Sequence, residues 1–408
     1  TVADADRVVM NDGGTMVQVA VTDLAAYFDD EITAMPNLIT VGAGATATTV
    51  AGIPLYRASD SLYTHDVSGT DDTAAHNAAY GINALDAVTT GDENTAIGSA
   101  ALGANTTGAY NVGVGRQVLD ANTTGSQNVA VGYDALGANT TASDNIAIGS
   151  GAMAANTTGT RNIGIGKAAY DASDTENDNI AIGYNAMTTN TAGGEKNVAV
   201  GNYALDALTA GDQNVAVGYD ALGVLSTGEK NTAVGANSMQ LHTTGNNNTA
   251  VGESSMDSNT TGASNVAIGQ EAMNANTTGA ENTVVGRNAL AANTTTSSNT
   301  AVGANALTAN TASENTAIGY NAAAANTTGV RIIAIGKGAY DASDTENDNT
   351  AIGFNAMTTN TAGGTENVAV GNYALDALTS GDGNTAVGMN ALSANSTGGY
   401  NAAVLSLI

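Results

Sequence analysis

The stretch Asn94-Thr95-Ala96-Ile97-Gly98-Ser99-Ala100-Ala101-Leu102-Gly103-Ala104-Asn105-Thr106-Thr107-Gly108-Ala109-Tyr110 is followed at once by a variant of itself from Asn111, and by another from Asn128. The opening Asn returns from Asn77 to Asn401 in steps of seventeen residues, with eighteen before Asn197 and Asn367 and sixteen before Asn315. Ile332 takes its place once. A short period kept over about twenty units is the signature of a solenoid, in which each unit covers its neighbour.

Numbered from its Asn, the unit has a β-branched or Thr residue at position 2 and Val or Ile at position 4, with Ala or Gly between them. Positions 2 and 4 share one side of an extended strand, a pleated surface that suits β-branched side chains. Position 5 is Gly in every unit but the last, where Leu405 stands, and position 15 is often Gly. Both are expected to make the positive-φ corners of a coiling chain. Seventeen residues are too few for a strand and a crossover helix. They suit a closed coil of two short strands and two turns. Position 12 is mostly Asn but holds Leu208, Leu225, Leu378 and His242. A site that accepts Asn or Leu points inward, so stacked Asn amides are expected to form a ladder there.

The expected fold is therefore all-β, a parallel β-solenoid of about twenty coils over residues 77–408. At ~4.8 Å per coil it makes a rod on the order of 95 Å long. Its core of Ala, Val and one Leu or Met per coil is thin, and with no Cys to staple it the expected remedy is side-by-side association of chains. Residues 170–217 and 340–387 are nearly identical and lie ten coils apart, as an elongating duplication would leave them.

Residues 1–36 lie outside the repeat. Val8 to Val19 reads as a β-hairpin around Gly13-Gly14, and Thr22 or Asp23 suits the cap of a short helix through Leu24, Tyr27 and Phe28. Residues 37–76 read as an irregular extended connector. The apolar ending Leu405-Ser406-Leu407-Ile408 is expected to begin a cap on the solenoid end.

The 38 acidic residues outnumber 10 basic ones, for a formal charge of −28, which repels nucleic-acid phosphates and anionic membranes. No apolar run approaches a membrane-spanning length. No signal peptide is visible, and a start at Thr1 leaves a processed leader open.

Asn197-Val198-Ala199-Val200-Gly201 and Asn94-Thr95-Ala96-Ile97-Gly98, each followed by an Ala-Leu step, resemble the head repeats of YadA-like trimeric autotransporter adhesins. The resemblance covers about residues 77–404. It implies a left-handed parallel β-roll in which three chains pack together. The present coil is longer than the usual adhesin-head repeat, and no coiled-coil stalk or membrane-anchor barrel is visible. The coil with Ala-Leu-Gly-Ala-Asn-Thr-Thr-Gly (101–108) is also similar to repeats of bacteriophage tail-fibre proteins, as is the opening of residues 6–15. That similarity implies a homotrimeric virion shaft whose N-terminal side meets tail or baseplate proteins. Its distal side would meet a host-surface receptor, with glycans among the candidates. A bacterial surface adhesin is the alternative, and an ice-binding or matrix protein a remote one.

Catalytic, cofactor and metal sites are not expected. Gly166-Lys167 and Gly336-Lys337 lack the flanking spacing of a phosphate loop and read as corner lysines. His65, His76 and His242 have no metal spacing. Asp171, Asp174, Glu176 and Asp178, repeated at Asp341, Asp344, Glu346 and Asp348, read as acidic loops, with calcium as the competing reading. The Thr rows through Thr106, Thr123, Thr140 and Thr157 suit either ordinary ladders or an ice-binding array. Tyr133, Tyr184, Tyr219, Tyr320 and Phe354, all at position 6, suit packing across a subunit boundary or stacking on sugars.

Overall fold

A computed structural model describes residues 7–12, 15–20, 47–50, 53–58, 61–63, 73–190, 192–360 and 363–405. Strands β1 (Arg7–Asp12) and β2 (Thr15–Ala20) pair antiparallel with Asp12 opposite Thr15, the hairpin its Gly-Gly centre anticipates. The proposed helix near residues 22–28 lies outside the described residues. β4 (Ile53–Ala58) pairs antiparallel with both β3 (Ala47–Val50) and β5 (Ser61–Tyr63), so the segment expected to be irregular contains a small sheet. β5 then pairs in parallel with β6 (Ala78–Tyr80) and covers the first edge of the repeat. Edge strands left bare recruit other chains, which is the physical use of such a cover.

From β6 to β25 (Ala402–Val404), twenty three-residue strands stack in parallel, one per coil and each paired in register with the next. The fold is the expected β-solenoid. The second strand is absent: each coil has one strand, and the remainder is turns. The cause is backbone handedness. Position 9 is left-handed in almost every coil, as at Leu102 (φ 51°), Met153 (φ 54°) and Tyr170 (φ 57°), and so are positions 7 and 17. These corners are not glycine corners. Inter-coil hydrogen bonds hold them instead, such as Leu102 N–H to Val118 C=O at 2.9 Å and Tyr110 N–H to Asp92 C=O at 3.0 Å. Gly at position 15 is not among the positive-φ residues, except Gly193 and Gly363 in the two eighteen-residue coils. A Cβ at Gly108 would run into the Gly125 carbonyl and the Asn105 amide, so that glycine is needed for close approach.

The core also differs in composition from the expectation. Position 3 is fully buried, and positions 2 and 4 face outward. The lumen is filled by Ala at 3 and 8 and by Leu, Met or Tyr at 9, as in Ala130, Ala135 and Leu136. Val and Ile lie outside because the lumen opposite the strand is already occupied. A Cβ added at Gly164, a position-3 glycine, would come within 2.6 Å of the Met153 side chain.

Two amide ladders run along the shaft. At position 12, Asn122 Nδ2 donates to Asn105 Oδ1 at 2.8 Å, and Asn139 Nδ2 to Asn122 Oδ1 at 2.8 Å, as the Asn-or-Leu pattern anticipates. A second ladder at position 1 was not anticipated. There each Asn Oδ1 accepts the backbone N–H of the next coil's Asn, as Asn111 Oδ1 does from Asn128 at 3.0 Å, while Nδ2 reaches a position-15 carbonyl. The amide-to-amide bonds and the bonds to the next coil's N–H tie adjacent coils in register, while Oδ1 of Asn156, Asn326 and Asn360 in the position-12 row has no partner.

Candidate functional site

The surface that stands out is the outward strand face and the corner beside it. Positions 2 and 4 form two continuous rows of Thr, Val and Ile, with Ile97 44%, Ile268 40% and Ile333 40% exposed. Parallel sheets are ordinarily covered on both faces. Here one face looks into the lumen and the other is uncovered along the whole shaft.

Position 6 turns the corner from that face. Tyr133, Tyr184, Tyr219 and Tyr320 project there, the first 50% and the third 55% exposed. Tyr203 and Tyr373 stand one residue further on. Tyr184 and Tyr203 meet edge to face at 5.4 Å, Tyr203 and Tyr219 at 5.9 Å, and Phe354 and Tyr373 at 5.3 Å. Cations of neighbouring coils lie over these rings: Arg116 at 5.5 Å from Tyr133, Lys167 at 5.9 Å from Tyr184, and Lys337 at 5.9 Å from Tyr320. The two Gly-Lys pairs therefore supply exposed corner cations to an aromatic column. Four basic residues of the repeat occupy position 6 (Arg116, Lys167, Arg287, Lys337), and the other four immediately precede position 1, at the other end of the strand (Arg161, Lys196, Lys230, Arg331).

The other candidate residues are engaged in structure. Glu176 is buried, and its carboxylate accepts the Gly193 and Thr175 amides at 3.1 Å each, while Glu346 repeats this with Gly363 and Thr345. Arg161 holds Asp178, and Arg331 holds Asp348, each at 2.6 Å, which keeps both carboxyls below the ordinary range. Glu176 and Asp178, like Glu346 and Asp348, thus direct their carboxylates to separate partners. Among the described residues no three acidic or imidazole groups converge as a metal site would require. His65 lies outside the described residues, and His76 is exposed. His242 fills a ladder position, with Nδ1 3.0 Å from the Asn259 amide and Nε2 2.8 Å from the Gly245 carbonyl. The Thr hydroxyls at position 13 donate to the next coil's carbonyl, Thr106 to Thr123 at 3.0 Å, and the Thr rows that face out are those of position 14 and of strand position 2. No described helix is long and apolar enough to cross a membrane.

Sequence reasoning overlooked a row of half-buried aspartates at position 10. Burial, then the like charge of Asp220, pushes Asp206 up to about 6. Burial also raises Asp257, helped by Asp220, and Asp120 and Asp171, helped by Asp134. Folded carboxyls that hold protons more tightly than unfolded ones add stability below the unfolded value of ~3.9, lost as pH climbs through the folded one. His242 works in reverse: burial lowers its pKa, so its contribution disappears as pH falls through ~6.5. Five such aspartates, Asp341 being the fifth, against one histidine set the sign between pH 7.5 and 5, since the lowered Asp178 and Asp348 act mainly at and below ~3.9. The melting temperature is expected to rise as pH drops from 7.5 to 5. Asp206→Asn should raise it at pH 7.5 and leave it nearly unchanged at pH 4. A calorimetric series that instead falls monotonically on acidification contradicts this.

With the strand face, the aromatic corner and the ladders in place, comparison with known proteins adds no relative: no family model, no curated protein and no solved structure matches the chain.

Proposed function

We propose that the chain is a structural fibre shaft, part of a phage tail fibre or related virion appendage that serves host attachment, and that it works as a homotrimer. The observation that carries this reading is the uncovered β-branched strand face, continuous over twenty stacked coils. A parallel sheet with one bare apolar face is completed by an identical face on another chain, and the register of the coils makes every contact repeat along the rod. The number three, the virion setting and the contact with tail or baseplate proteins rest on the resemblance of the repeat to trimeric adhesin heads and tail fibres. The receptor at the host surface, a glycan among the candidates, rests on it too. Ladders of buried amides that run from coil to coil suit a load-bearing spacer.

A bacterial surface adhesin built on the same coil is the alternative, and neighbouring genes separate the two: baseplate genes favour the fibre, a membrane-anchor barrel the adhesin. Assembly is tested by light scattering of the purified chain. The expected mass is three times the 40.1 kDa of one chain, and a monomer at micromolar concentration overturns the proposal.

A further inference from the structure

A shaft of near-identical coils has a register problem when it packs against its own copy. Position 4 holds Val or Ile from Ile97 to Val404, so sliding two strand faces by one coil, ~4.8 Å, exchanges at most one methylene per contact. The apolar strip supplies attraction and almost no information about register. Position 6 is different. From Arg116 it runs Arg, Tyr, Ser, Lys, Tyr, Asn, Tyr, Ala, Glu, Gln, Arg, Ala, Tyr, Lys, Phe, Asn, Met, with no short period.

We propose that the aromatic–cation clusters at positions 6 and 7, centred on Tyr184–Tyr203 and on Phe354–Tyr373, are register pins that lock neighbouring copies of this chain in parallel and in step. The inference rests on the assembly proposed above and adds to it which surface fixes the alignment. Three observations carry it. The clusters continue directly from the strand face, one residue past the position-5 corner. Their rings are substantially exposed, Tyr184 39% and Tyr373 38%, in a chain with only 4% aromatic residues. Within the ten-coil duplication the ring is kept where its hydroxyl is lost, Tyr184 against Phe354, while the opposite corner drifts to opposite charge, Lys196 against Glu366. What both copies keep is a ring meeting a ring edge to face beside a lysine, at 5.4 Å and 5.3 Å.

Paired rings at irregular places oppose every small slip: a one-coil slip sets Tyr184 and Phe354 against Lys or Asn, and a two-coil slip, which brings Tyr184 onto Tyr219 and Phe354 onto Tyr320, still sets Tyr203 against Ala168 or Asn237. The one slip that would superpose cluster on cluster is ten coils. It forfeits about half the strand-face contact, so the apolar strip itself opposes it.

The native chain has no Cys, so single cysteines report register directly. Val234→Cys and Ile268→Cys lie on position 4, two coils apart, a distance of ~9.6 Å that exceeds disulfide reach. Chains carrying one or the other are co-expressed, oxidised and mapped by mass spectrometry, in the native background and with Tyr184, Tyr203, Phe354 and Tyr373 all changed to Ala. In the native background 234–234 and 268–268 bridges are expected, with 234–268 bridges at least ten-fold rarer. In the four-Ala background, at unchanged oligomer mass, 234–268 bridges are expected to approach the homotypic yield. Tyr184→Phe with Tyr203→Phe and Tyr373→Phe should restore the native pattern. A four-Ala oligomer that keeps the native bridges overturns the pins and leaves these rings free for another ligand, with the assembly proposal intact. A native chain that is monomeric by light scattering overturns both.

Discussion

Gly252→Ala is expected to cost at least ~3 kcal/mol and to divide the shaft into two separately melting blocks, whereas Gly151→Ala should stay within ~1 kcal/mol. Both glycines have positive φ, and the contrast lies in which kind. Gly252, at position 5, has φ 133°, a region essentially closed to any residue with a Cβ, and a methyl there would lie 2.6 Å from the carbonyl carbon and oxygen of Gly269 in the next coil. That neighbour is backbone and carries the ladder, so it has no side-chain rotation with which to yield. Gly151, at position 7, has φ 68° and nothing within 4 Å of its Cβ site. Ala100 and Ala168 already occupy the same place in other coils at φ 58° and 52°. Because each coil touches only its neighbours, a local defect weakens one interface and leaves the blocks on either side intact. Scanning calorimetry should resolve two transitions for Gly252→Ala, with limited proteolysis cutting near residue 252. A single cooperative transition at the native temperature would contradict this reading.

How much of this was legible in the sequence varies with the physics involved. The period, the parallel stacking and the position-5 glycines were plain, because a repeated backbone requirement leaves a repeated residue. The position-12 ladder was legible because Leu208 and His242 betrayed an inward site. The orientation of the strand was not. Thr-Ala-Val alternates with period two whichever face is buried, and hydrophobicity alone favours placing Val inside. The lumen decides otherwise, because Leu136 or Met153 from position 9 fills the space opposite the strand and leaves position 3 to small residues such as Ala130 or Gly164, with Val284 the largest found there. The left-handed turn at position 9 was hidden for a related reason. Leu normally avoids φ near 50°, and only its burial with an inter-coil hydrogen bond holds it there. The frequent Asn and Asp at position 7, such as Asn83, Asp134 and Asn237, were a readable sign of that handedness. The aromatic corner was readable as residues, and its ring-to-ring geometry needed the coil spacing.

Two Asn residues of one coil should respond very differently to the same change. Asn265→Leu is expected to cost about 3 kcal/mol and Asn276→Leu less than ~1 kcal/mol, although both side chains are fully buried in amide ladders. Asn265 Oδ1 accepts the backbone N–H of Asn282 at 3.0 Å and its Nδ2 at 3.0 Å. Removing the amide strands that backbone N–H in the interior, where no side chain can turn to meet it, and an orphaned buried donor costs ~1–3 kcal/mol before lost bonds are counted. Asn276 Oδ1 accepts only a side-chain Nδ2, that of Asn293 at 3.2 Å, which also donates to the Thr296 carbonyl at 3.0 Å. The Gly279 carbonyl that Asn276 serves is also served by Asn265 at 2.8 Å, so it stays satisfied. Asn276 Nδ2 also donates to Asn259 Oδ1 at 2.8 Å, and losing it leaves that acceptor as Asn156 Oδ1 already stands below Ser173. A Leu there gains apolar burial against these losses, and Leu208 already shows the arrangement: Asn197 alone donates to the Gly211 carbonyl, at 2.8 Å. Ile332, the single natural loss at position 1, sits where the Tyr340 hydroxyl donates to the Glu346 carbonyl at 3.1 Å, the role Asn162 Nδ2 performs for Glu176 in the duplicate coil. A position-1 Asn is therefore dispensable where a buried Tyr replaces part of its bonding, and the coil of Asn265 has Met273 instead. Urea unfolding of the two variants, compared at equal m-value, measures the difference. Equal losses would mean that the ladders are energetically equivalent and that backbone satisfaction is not what the opening Asn provides.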